Sequence, residues 1–419
     1  MKEKIKLGII GLGNRGKNMS RNIFGDMRDV EITMVCDMVS EKVKDTQKYF
    51  EEEKGISVKG TTDWHEVINC EEIDAVVVLA AWAVHVEIAV AAMRAGKYVT
   101  IEVGGAYDIS DCFRLVDAHE KTGMHCMMLE NCCYGRPEMM ALRMVKEGLF
   151  GEVVHCTGAY MHDLRSTDLS GTSKEWGRLN TYRIEEYAAR NCDNYPTHAL
   201  GPICKVLNIN RGNRMLYLTS MASKAAGVKD YWERHKDDGN PMYGTEIKQG
   251  DIVVTNIMCV NGETIMLRLD TTLPRAYYSR DFSVRGTRGA YDEARKVVFL
   301  DGMEEEIKDN QDEFFEKYDH PIHAEYVKKG EKAGHGGMDW LVGRAFVESV
   351  KRGIPTPIDT YDTAAWMAIT PLSEQSIATG GAPVQIPDFT RGKWIRREAP
   401  IETKYSLDVI VEDKDTPIY

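Results

Sequence analysis

Features that would place a chain in a membrane or on nucleic acid are missing from this sequence of 419 residues. The longest apolar run, 75–84, is about half of the roughly 20 residues that a transmembrane helix requires. The formal net charge is −12, and no lysine- or arginine-rich cluster offsets it, so a phosphate backbone would be repelled. We therefore expect neither a membrane span nor a nucleic-acid partner.

Several catalytic and structural motifs are also missing. The ten cysteines include no Cys-x-x-Cys pair, which argues against a disulfide framework and against a zinc site. The first residues enter a strand pattern directly, without the apolar region of a signal peptide. Neither a Gly-x-Ser-x-Gly elbow nor a His-Glu-x-x-His motif occurs. We expect a cytoplasmic chain with reduced thiols and no metal.

What is present indicates a globular protein of two domains. Hydrophobic residues make up 43% of the chain and charged residues 28%. Up to about residue 135, β-branched runs alternate with helical stretches, which predicts a parallel sheet. Later strand-like runs are longer, and two of them are joined by Asn261-Gly262, which is typical of an antiparallel hairpin. We predict an α/β domain over 1–135, an α+β domain with a large, mostly antiparallel sheet over 136–385, and a C-terminal arm over 386–419.

A glycine motif follows the first predicted strand. Gly11, Gly13 and Gly16 form Gly-Leu-Gly-Asn-Arg-Gly, and Asp37 ends the second strand. In a Rossmann fold, such glycines permit a tight turn, close approach to a pyrophosphate and close helix packing, and an acid about 20 residues later binds ribose hydroxyls. Because a carboxylate at that position would repel a 2′-phosphate, the motif predicts a doubly wound Rossmann sheet that binds NAD rather than NADP.

Polar and aromatic residues follow other strands of the predicted parallel sheet. Trp82 and His85 come after the fourth strand, Glu102 ends the fifth, and Asn131 follows the sixth. Each residue taken alone is as readily explained by packing or capping. Because doubly wound sheets bind ligands at the carboxyl ends of their strands, their shared position favours a binding role.

The second predicted domain contains residues that can transfer protons. Tyr195 and His198 are three residues apart, and a helix that begins at the intervening proline could direct both side chains to one site. Tyr160 and His162 end a strand, and Tyr277 lies in an arginine-rich stretch. Spacing alone does not distinguish a catalytic site here from ordinary packing.

Three longer motifs resemble one known family. Leu-Glu-Asn-Cys-Cys-Tyr-Gly-Arg at 129–136, Asn-Tyr-Pro-Thr-His-Ala-Leu-Gly-Pro at 194–202 and Arg-Asp-Phe-Ser-Val-Arg-Gly-Thr-Arg-Gly at 280–289 are similar to glycoside hydrolase family 109. The order of elements resembles the wider Gfo/Idh/MocA oxidoreductases. The resemblance covers most of the chain.

The resemblance implies an NAD-dependent α-N-acetylgalactosaminidase acting on a glycoside or glycan terminus. In such an enzyme the sugar is oxidised transiently at C3, deprotonated at C2, cleaved by elimination and completed by addition of water. The implied cofactor residues, beside the three glycines, are Asn14, Arg15, Asp37, Trp82, His85, Glu102, Val103 and Asn131. The implied sugar-binding residues are Tyr160, Arg183, Tyr195, Pro196, Thr197, His198 and Tyr277. We predict that His198 and Tyr195 act at the C3 hydroxyl and that Tyr160 acts at the C2 proton or at the leaving group.

Two departures bear on the alternatives. The common Glu-Lys-Pro of sugar dehydrogenases is here Glu102-Val103-Gly104, which lacks the lysine, and the common Asp-x-x-x-His runs from Asn194 to His198. A dehydrogenase with net redox change is therefore the second hypothesis, and a non-catalytic NAD-binding regulator is the third. The glycosidase family itself usually has proline after the valine, where this chain has glycine. We also expect a homo-oligomer, because a large apolar sheet face must be covered.

Overall fold

The structure is a computed structural model that describes residues 2–175, 177–303, 307–329, 335–397 and 400–413. Its described residues form two compact units. The first comprises those of Met1–Gly135, His320–Ala365 and Glu398–Tyr419, and the second those of Arg136–Asp319 and Trp366–Arg397. The units thus differ from the predicted linear division, because the described residues of His320–Ala365 pack with the N-terminal part of the chain.

The N-terminal part of the first unit alternates strands and helices. The strands are β1 (Ile5–Ile10), β2 (Val30–Cys36), β3 (Lys59–Thr61), β4 (Ala75–Val78), β5 (Tyr98–Ile101) and β6 (Cys126–Met128), and the helices are α1 (Asn14–Asn18), α2 (Ser40–Lys54), α3 (Trp64–Asn69), α4 (Trp82–Arg94) and α5 (Ile109–Thr122). The strands form one sheet in the order β3-β2-β1-β4-β5-β6, and every neighbouring pair is parallel. This is the predicted doubly wound Rossmann sheet.

The burial of these strands explains their composition. All four residues of β4 are buried, and β1 is buried at five of its six positions. A parallel sheet covered on both faces requires such continuous apolar strands. Because the chain leaves β1 toward β2 on one side and later returns to β4 on the other, the carboxyl ends of β1 and β4 form the switch point where such sheets bind ligands.

The rest of the chain contains helices and longer strands. In chain order these are α6 (Arg136–Lys146), β7 (Val153–Met161), β8 (Lys174–Glu175), β9 (Arg178–Leu179), α7 (Tyr182–Ala189), α8 (Thr197–Val206), β10 (Met215–Ala222), α9 (Gly227–Arg234), β11 (Ile252–Cys259), β12 (Thr264–Asp270), β13 (Ser283–Gly286), β14 (Gly289–Asp292), β15 (Val297–Leu300), α10 (Gln311–Tyr318), α11 (Pro321–Lys329), α12 (Met338–Arg352), α13 (Thr360–Met367), α14 (Ile369–Ala378) and β16 (Val384–Gln385). None of the described helices combines the length and the apolar character that crossing a membrane would need.

The second unit is built on an eight-stranded sheet in the order β15-β14-β13-β7-β12-β11-β10-β16. Its neighbouring strands are antiparallel except β7 and β12, which are parallel. The predicted hairpin is confirmed, since β11 and β12 pair in antiparallel fashion and Gly262 between them has a φ of +100°. This large, mostly antiparallel sheet confirms the predicted fold class.

The helical pattern of the sequence over 360–379 predicts one helix, but the structure has two. α13 ends at Met367 and α14 begins at Ile369. Pro371 explains the break, because it has no N–H group to donate to the carbonyl of Met367, four residues earlier. The signal for the break was therefore present in the sequence.

Candidate functional site

The glycine loop after β1 has a geometry that only glycine permits. Gly11 has a φ of +96°, and a Cβ atom there would lie 2.5 Å from the carbonyl of Leu79. A Cβ atom on Gly16 would lie 2.0 Å from the carbonyl oxygen of Gly11. Gly13 is the extended residue before α1. The loop therefore fits the pyrophosphate of a dinucleotide, which requires this close approach of the backbone.

Asp37 lies directly after β2 and is held by the same loop. Its Oδ2 accepts a hydrogen bond from the main-chain N–H of Leu12 at 2.8 Å, and its Oδ1 accepts one from Val39 at 2.9 Å. Lys42 Nζ lies 3.9 Å from Oδ2. Because each carboxylate oxygen has two lone pairs, the group retains capacity to accept from ribose hydroxyls. This position is the one that the NAD prediction requires.

Trp82 and His85 begin the helix that follows β4. A Cβ atom on Gly104, whose φ is +158°, would lie 2.5 Å from the indole Cδ1 of Trp82, so the glycine lets the indole pack against the chain after β5. His85 is buried, and its Nε2 bonds the carbonyl of Ala80 at 2.8 Å. Burial lowers the pKa of His85 and favours the neutral ring. His85 thus fixes the turn into α4, and its direct contact with a cofactor stays a prediction.

Other predicted cofactor residues of the first unit meet in one polar cluster. Arg15 Nε donates to Glu102 Oε1 at 2.6 Å, and Glu102 Oε2 accepts from the main-chain N–H of Val103 at 2.7 Å. Both Arg15 and Asn131 donate to the carboxylate of Asp339 on α12. Sequence reasoning missed Asp339, which lies 324 residues from Arg15 and belongs to no recognised motif. Asn14, at the start of α1, is exposed.

In the second unit, the three predicted catalytic side chains form one cluster. The ring centroids of Tyr160 and Tyr195 are 4.3 Å apart, those of Tyr195 and His198 are 4.9 Å apart, and those of Tyr160 and His198 are 5.6 Å apart. Pro196 immediately precedes α8, and the buried Thr197 is its first residue. The helix start therefore positions a phenol and an imidazole together, as the spacing had predicted.

Two further side chains set the charge and the hydrogen bonding of this cluster. The guanidinium carbon of Arg183, on α7, lies 5.3 Å from the ring centroid of Tyr195, so a permanent cation adjoins the phenols. His162 Nδ1 lies 3.3 Å from the hydroxyl oxygen of Tyr160. Burial lowers the pKa of His162, which favours a neutral ring that can accept the hydroxyl proton.

The structure distinguishes two adjacent tyrosines after β12. Tyr278 has ring contacts with Tyr160 at 6.2 Å and with His162 at 5.6 Å. Tyr277, which the sequence had predicted to bind sugar, is 64% exposed, and none of the ring contacts among the described residues involves it. The role of Tyr277 stays a prediction, and sequence reasoning missed Tyr278.

Two residues before Tyr195 in the chain, Asp193 carries a buried carboxyl group. Asp193 is 2% exposed, and its carboxyl bonds the hydroxyl of Thr255 and the main-chain N–H of Tyr195. Burial raises the pKa of Asp193 to about 7, although these two hydrogen bonds oppose the shift. The adjacent Asn194 donates to Gln249 at 3.1 Å. The residues that precede Tyr195 are therefore polar and buried.

Comparison with known proteins gives two family matches. Residues 5–130 match the oxidoreductase family with an NAD-binding Rossmann fold. Residues 134–396 match the glycosyl hydrolase 109 C-terminal domain. Together the two matches cover nearly the whole chain.

Named relatives are similar over almost their full length. The chain is 40% identical over 413 residues to an alpha-N-acetylgalactosaminidase of Tannerella forsythia, covering 94% of this chain and 88% of that relative. It is 36% identical over 398 residues to an alpha-N-acetylgalactosaminidase of Bacteroides fragilis, covering 93% of each. Among solved structures it is similar to a levoglucosan dehydrogenase in complex with NADH and levoglucosan, with a TM-score of 0.68, 18% identity, and coverage of 92% of this chain and 100% of that one. At such low identity, this last likeness concerns the fold alone.

Proposed function

The chain belongs to glycosyl hydrolase family 109 and is a glycosidase with an NAD-binding Rossmann domain, and on this basis we propose that it releases terminal α-N-acetylgalactosamine from glycans. The observation that carries the proposal is the cluster of Tyr160, Tyr195 and His198, whose rings lie within 5.6 Å of one another. Two phenols and an imidazole supply the proton transfers that a transient-oxidation glycosidase requires.

The cofactor part of the proposal rests on the first unit. The loop of Gly11, Gly13 and Gly16 would hold the pyrophosphate, and Asp37 would hold a ribose. Bound NAD supplies a reversible hydride acceptor for C3 of the sugar, so the net reaction is hydrolysis without redox change.

His198 and Tyr195 act at the C3 hydroxyl in this proposal. Loss of hydride from C3 must be accompanied by loss of the hydroxyl proton, which the imidazole accepts and later returns. The Arg183 cation, whose guanidinium carbon lies 5.3 Å from the ring centroid of Tyr195, stabilises negative charge that develops on that phenol. The pair thus moves a proton in both directions during one turnover.

Tyr160 serves the elimination. A ketone at C3 acidifies the C2 proton, and its removal expels the aglycone as the C1–O bond breaks. Tyr160 either removes that proton or protonates the leaving group, and its hydrogen bond with His162 offers a path for the proton. Addition of water to C1 with return of a proton to C2 gives a 3-keto sugar. Return of the hydride to C3 and of a proton to its oxygen then completes the hydrolysis.

The test is hydrolysis of a nitrophenyl α-N-acetylgalactosaminide in deuterated water by the purified protein. Aglycone release, nicotinamide absorbance and deuterium at C2 of the released sugar are recorded together. We expect release of the aglycone with incorporation of deuterium at C2 of the sugar and without net formation of NADH. NADH in proportion to product would make the protein a dehydrogenase instead, and an absence of turnover across a panel of hexosides would contradict a glycosidase.

Variants localise the chemistry. We expect His198→Ala and Tyr195→Phe to lower kcat by about 100-fold or more, the usual contribution of a general acid or base. Tyr243→Phe is the matched control, because Tyr243 is exposed and its hydroxyl bonds only a surface carboxylate, Glu233, among the described residues. Near-normal turnover of His198→Ala would refute its assignment.

We also propose that the protein is a homo-oligomer through the outer face of the eight-stranded sheet. On alternate positions of β10, β11 and β12, Met221 is exposed and Val254, Met258 and Met266 are half-buried, whereas Val253, Ile257 and Ile265 on the opposite face are buried. A second copy of the chain covering this face would bury that apolar surface. Sedimentation equilibrium should give a multiple of 47.3 kDa, and Val254→Arg should shift it to the monomer mass. A monomeric wild type would contradict the proposal.

We propose a cytoplasmic location for the chain. No disulfide links the ten cysteines, all of which are described, and nine of them are buried. Reduced buried thiols are typical of a reducing compartment. Fractionation of the cells that produce the protein tests this, and recovery from the culture medium would contradict it.

A further inference from the structure

Asp339 is a buried carboxylate whose hydrogen bonds converge on the cofactor half of the proposed site. Its Oδ1 accepts from Arg15 Nη2 and from Asn131 Nδ2, both at 2.8 Å. Its Oδ2 accepts from Arg15 Nη1 at 2.7 Å and bonds His335 Nδ1 at 2.8 Å. The side chain is fully buried. Four bonds use the whole acceptor capacity of a carboxylate, so Asp339 is fixed on every side.

The partners of Asp339 come from three separate places in the first unit. Arg15 lies in the helix after the glycine loop, Asn131 follows β6, and His335 precedes α12. Burial opposes the charge of Asp339, but the hydrogen bonds from Arg15 and His335 outweigh it and hold its pKa well below the usual range. The group is therefore an anion at every physiological pH. A buried anion with a bidentate arginine partner orients that arginine strongly.

Arg15 is thereby held at two edges of its guanidinium plane. Asp339 binds both Nη atoms, and Glu102 binds Nε. The side chain of Arg15 is nevertheless 31% exposed, so it is partly accessible from solvent beside the glycine loop. Its bonds to the described residues engage three of its N–H groups, and an arginine has five. Arg15 is thus preorganised to donate to an anionic ligand.

We infer that Asp339 is a positioning residue of the cofactor site, which acts by orienting Arg15 and Asn131 toward bound NAD, and that His335 adjusts the charge of this cluster. The inference rests on the proposed NAD site. Arg15 contributes one positive charge, and Glu102 and Asp339 one negative charge each. The cluster has a net charge of −1 when His335 is neutral and no net charge when His335 is protonated. Because the uncharged cluster does not repel an anion, it favours binding of the diphosphate of NAD.

The first test measures NAD⁺ binding by the full chain, using isothermal titration and the NAD retained through gel filtration. We expect Asp339→Asn to weaken binding at least about tenfold, because a hydrogen bond to a charged group is lost and Arg15 is released. Asp29→Asn is the matched control. It weakens another Asp–Arg pair at α12, in which the half-buried Asp29 bonds the fully buried Arg344 of that helix and which includes no predicted cofactor residue.

A double-mutant cycle separates positioning from general destabilisation. If Asp339 acts through Arg15, Asp339→Asn should change NAD affinity little in an Arg15→Gln background. The inference would be overturned if Asp339→Asn weakened NAD⁺ binding equally in the wild-type and Arg15→Gln backgrounds. It would also be overturned if Asp29→Asn weakened NAD⁺ binding as much as Asp339→Asn does. So would a Kd for Asp339→Asn within twofold of that of the wild type. Failure of the wild type to bind NAD⁺ at all would instead refute the cofactor site itself, and the inference with it.

The pH dependence of binding tests His335. Among the described residues, the charged groups that face it are Asp339, Arg15 and Glu102, and the hydrogen bond with Asp339 raises the pKa of His335 above 6.5. NAD⁺ affinity should therefore fall several-fold as pH rises from about 6 to about 9, since the imidazolium loses its proton. His335→Gln can keep a hydrogen bond to Asp339 but does not titrate, and its affinity should be nearly constant over this range. An identical pH profile in both proteins would exclude His335 from this role.

Discussion

Asp193→Asn should stabilise the second unit and remove much of the pH dependence of its stability. The carboxyl of Asp193 is buried, and its Oδ2 has no hydrogen-bond partner among the described residues. Its pKa is raised from 3.8 to about 7 by burial, against hydrogen bonds from Thr255 and Tyr195. Since a tenfold change in a proton equilibrium is worth ~1.4 kcal/mol, the ionised carboxylate destabilises the fold by about 4 kcal/mol.

The sign of the pH dependence follows from which state binds the proton. Below pH 3.8 the carboxyl is protonated in both the folded and the unfolded chain, so it contributes no difference. Between 3.8 and about 7 the unfolded chain ionises while the folded chain stays protonated, so the free energy of unfolding falls as pH rises. Above about 7 the full cost is present. Between pH 5 and pH 8 the cost grows by about 2.5 kcal/mol, and asparagine, which does not titrate, removes this increment.

The assay is unfolding by urea at pH 5 and pH 8, with the variant and the wild type compared under identical conditions. Asp237→Asn, at an exposed aspartate, is the control and should change neither value by more than about 0.5 kcal/mol. If the stability difference between Asp193→Asn and wild type is the same at both pH values, the Asp193 carboxyl ionises normally. In that case the reasoning from burial is refuted.

Three further changes test the cofactor half. Gly11→Ala should abolish NAD retention and lower the Tm, because its Cβ would lie 2.5 Å from a backbone carbonyl. The control Gly96→Ala, at a residue with a φ of +75° and open space around it, should lower the Tm only slightly. Equal decreases in Tm for the two variants would contradict the steric argument. Gly104→Ala should displace the indole of Trp82 and weaken NAD binding several-fold, as measured by titration with tryptophan fluorescence. Unchanged fluorescence and NAD affinity would show that the position of the indole does not depend on the glycine. Asp37→Ser should raise the affinity for NADP relative to NAD by removing a charge that repels the 2′-phosphate, and an unchanged ratio of the two Kd values would remove Asp37 from the ribose site.

Much of the fold could be predicted because its signals are local. Continuous apolar runs, the glycine loop and Asn261-Gly262 each constrain the backbone through the residues that carry them, and the structure has the expected parallel sheet and hairpin. The break at Pro371 was equally local but was overlooked in a long helical pattern. The short strands β14 and β15 were not predicted, since their stability comes from pairing with a neighbour rather than from their own pattern.

The candidate site was predictable only in part. The Tyr195–His198 pair follows from a short separation across the predicted start of a helix, which keeps residues close in the chain near one another. The choice of Tyr278 over Tyr277 in the ring cluster does not follow from spacing, because adjacent residues differ only in the direction that the folded loop gives them.

The chain's own residue pattern decides the Rossmann half, the hairpin sheet, the NAD loop and the family, because each depends on residue types within short stretches. The tertiary structure alone decides that the described residues of His320–Ala365 return to the first unit and that Asp339 binds Arg15 across 324 residues. It also decides that Asp193 is buried with one oxygen that no described residue bonds. Burial and long-range hydrogen bonds depend on which surfaces the packed elements exclude from water. No local pattern encodes that exclusion, and it sets the charge and the orientation of the groups on which the chemistry depends.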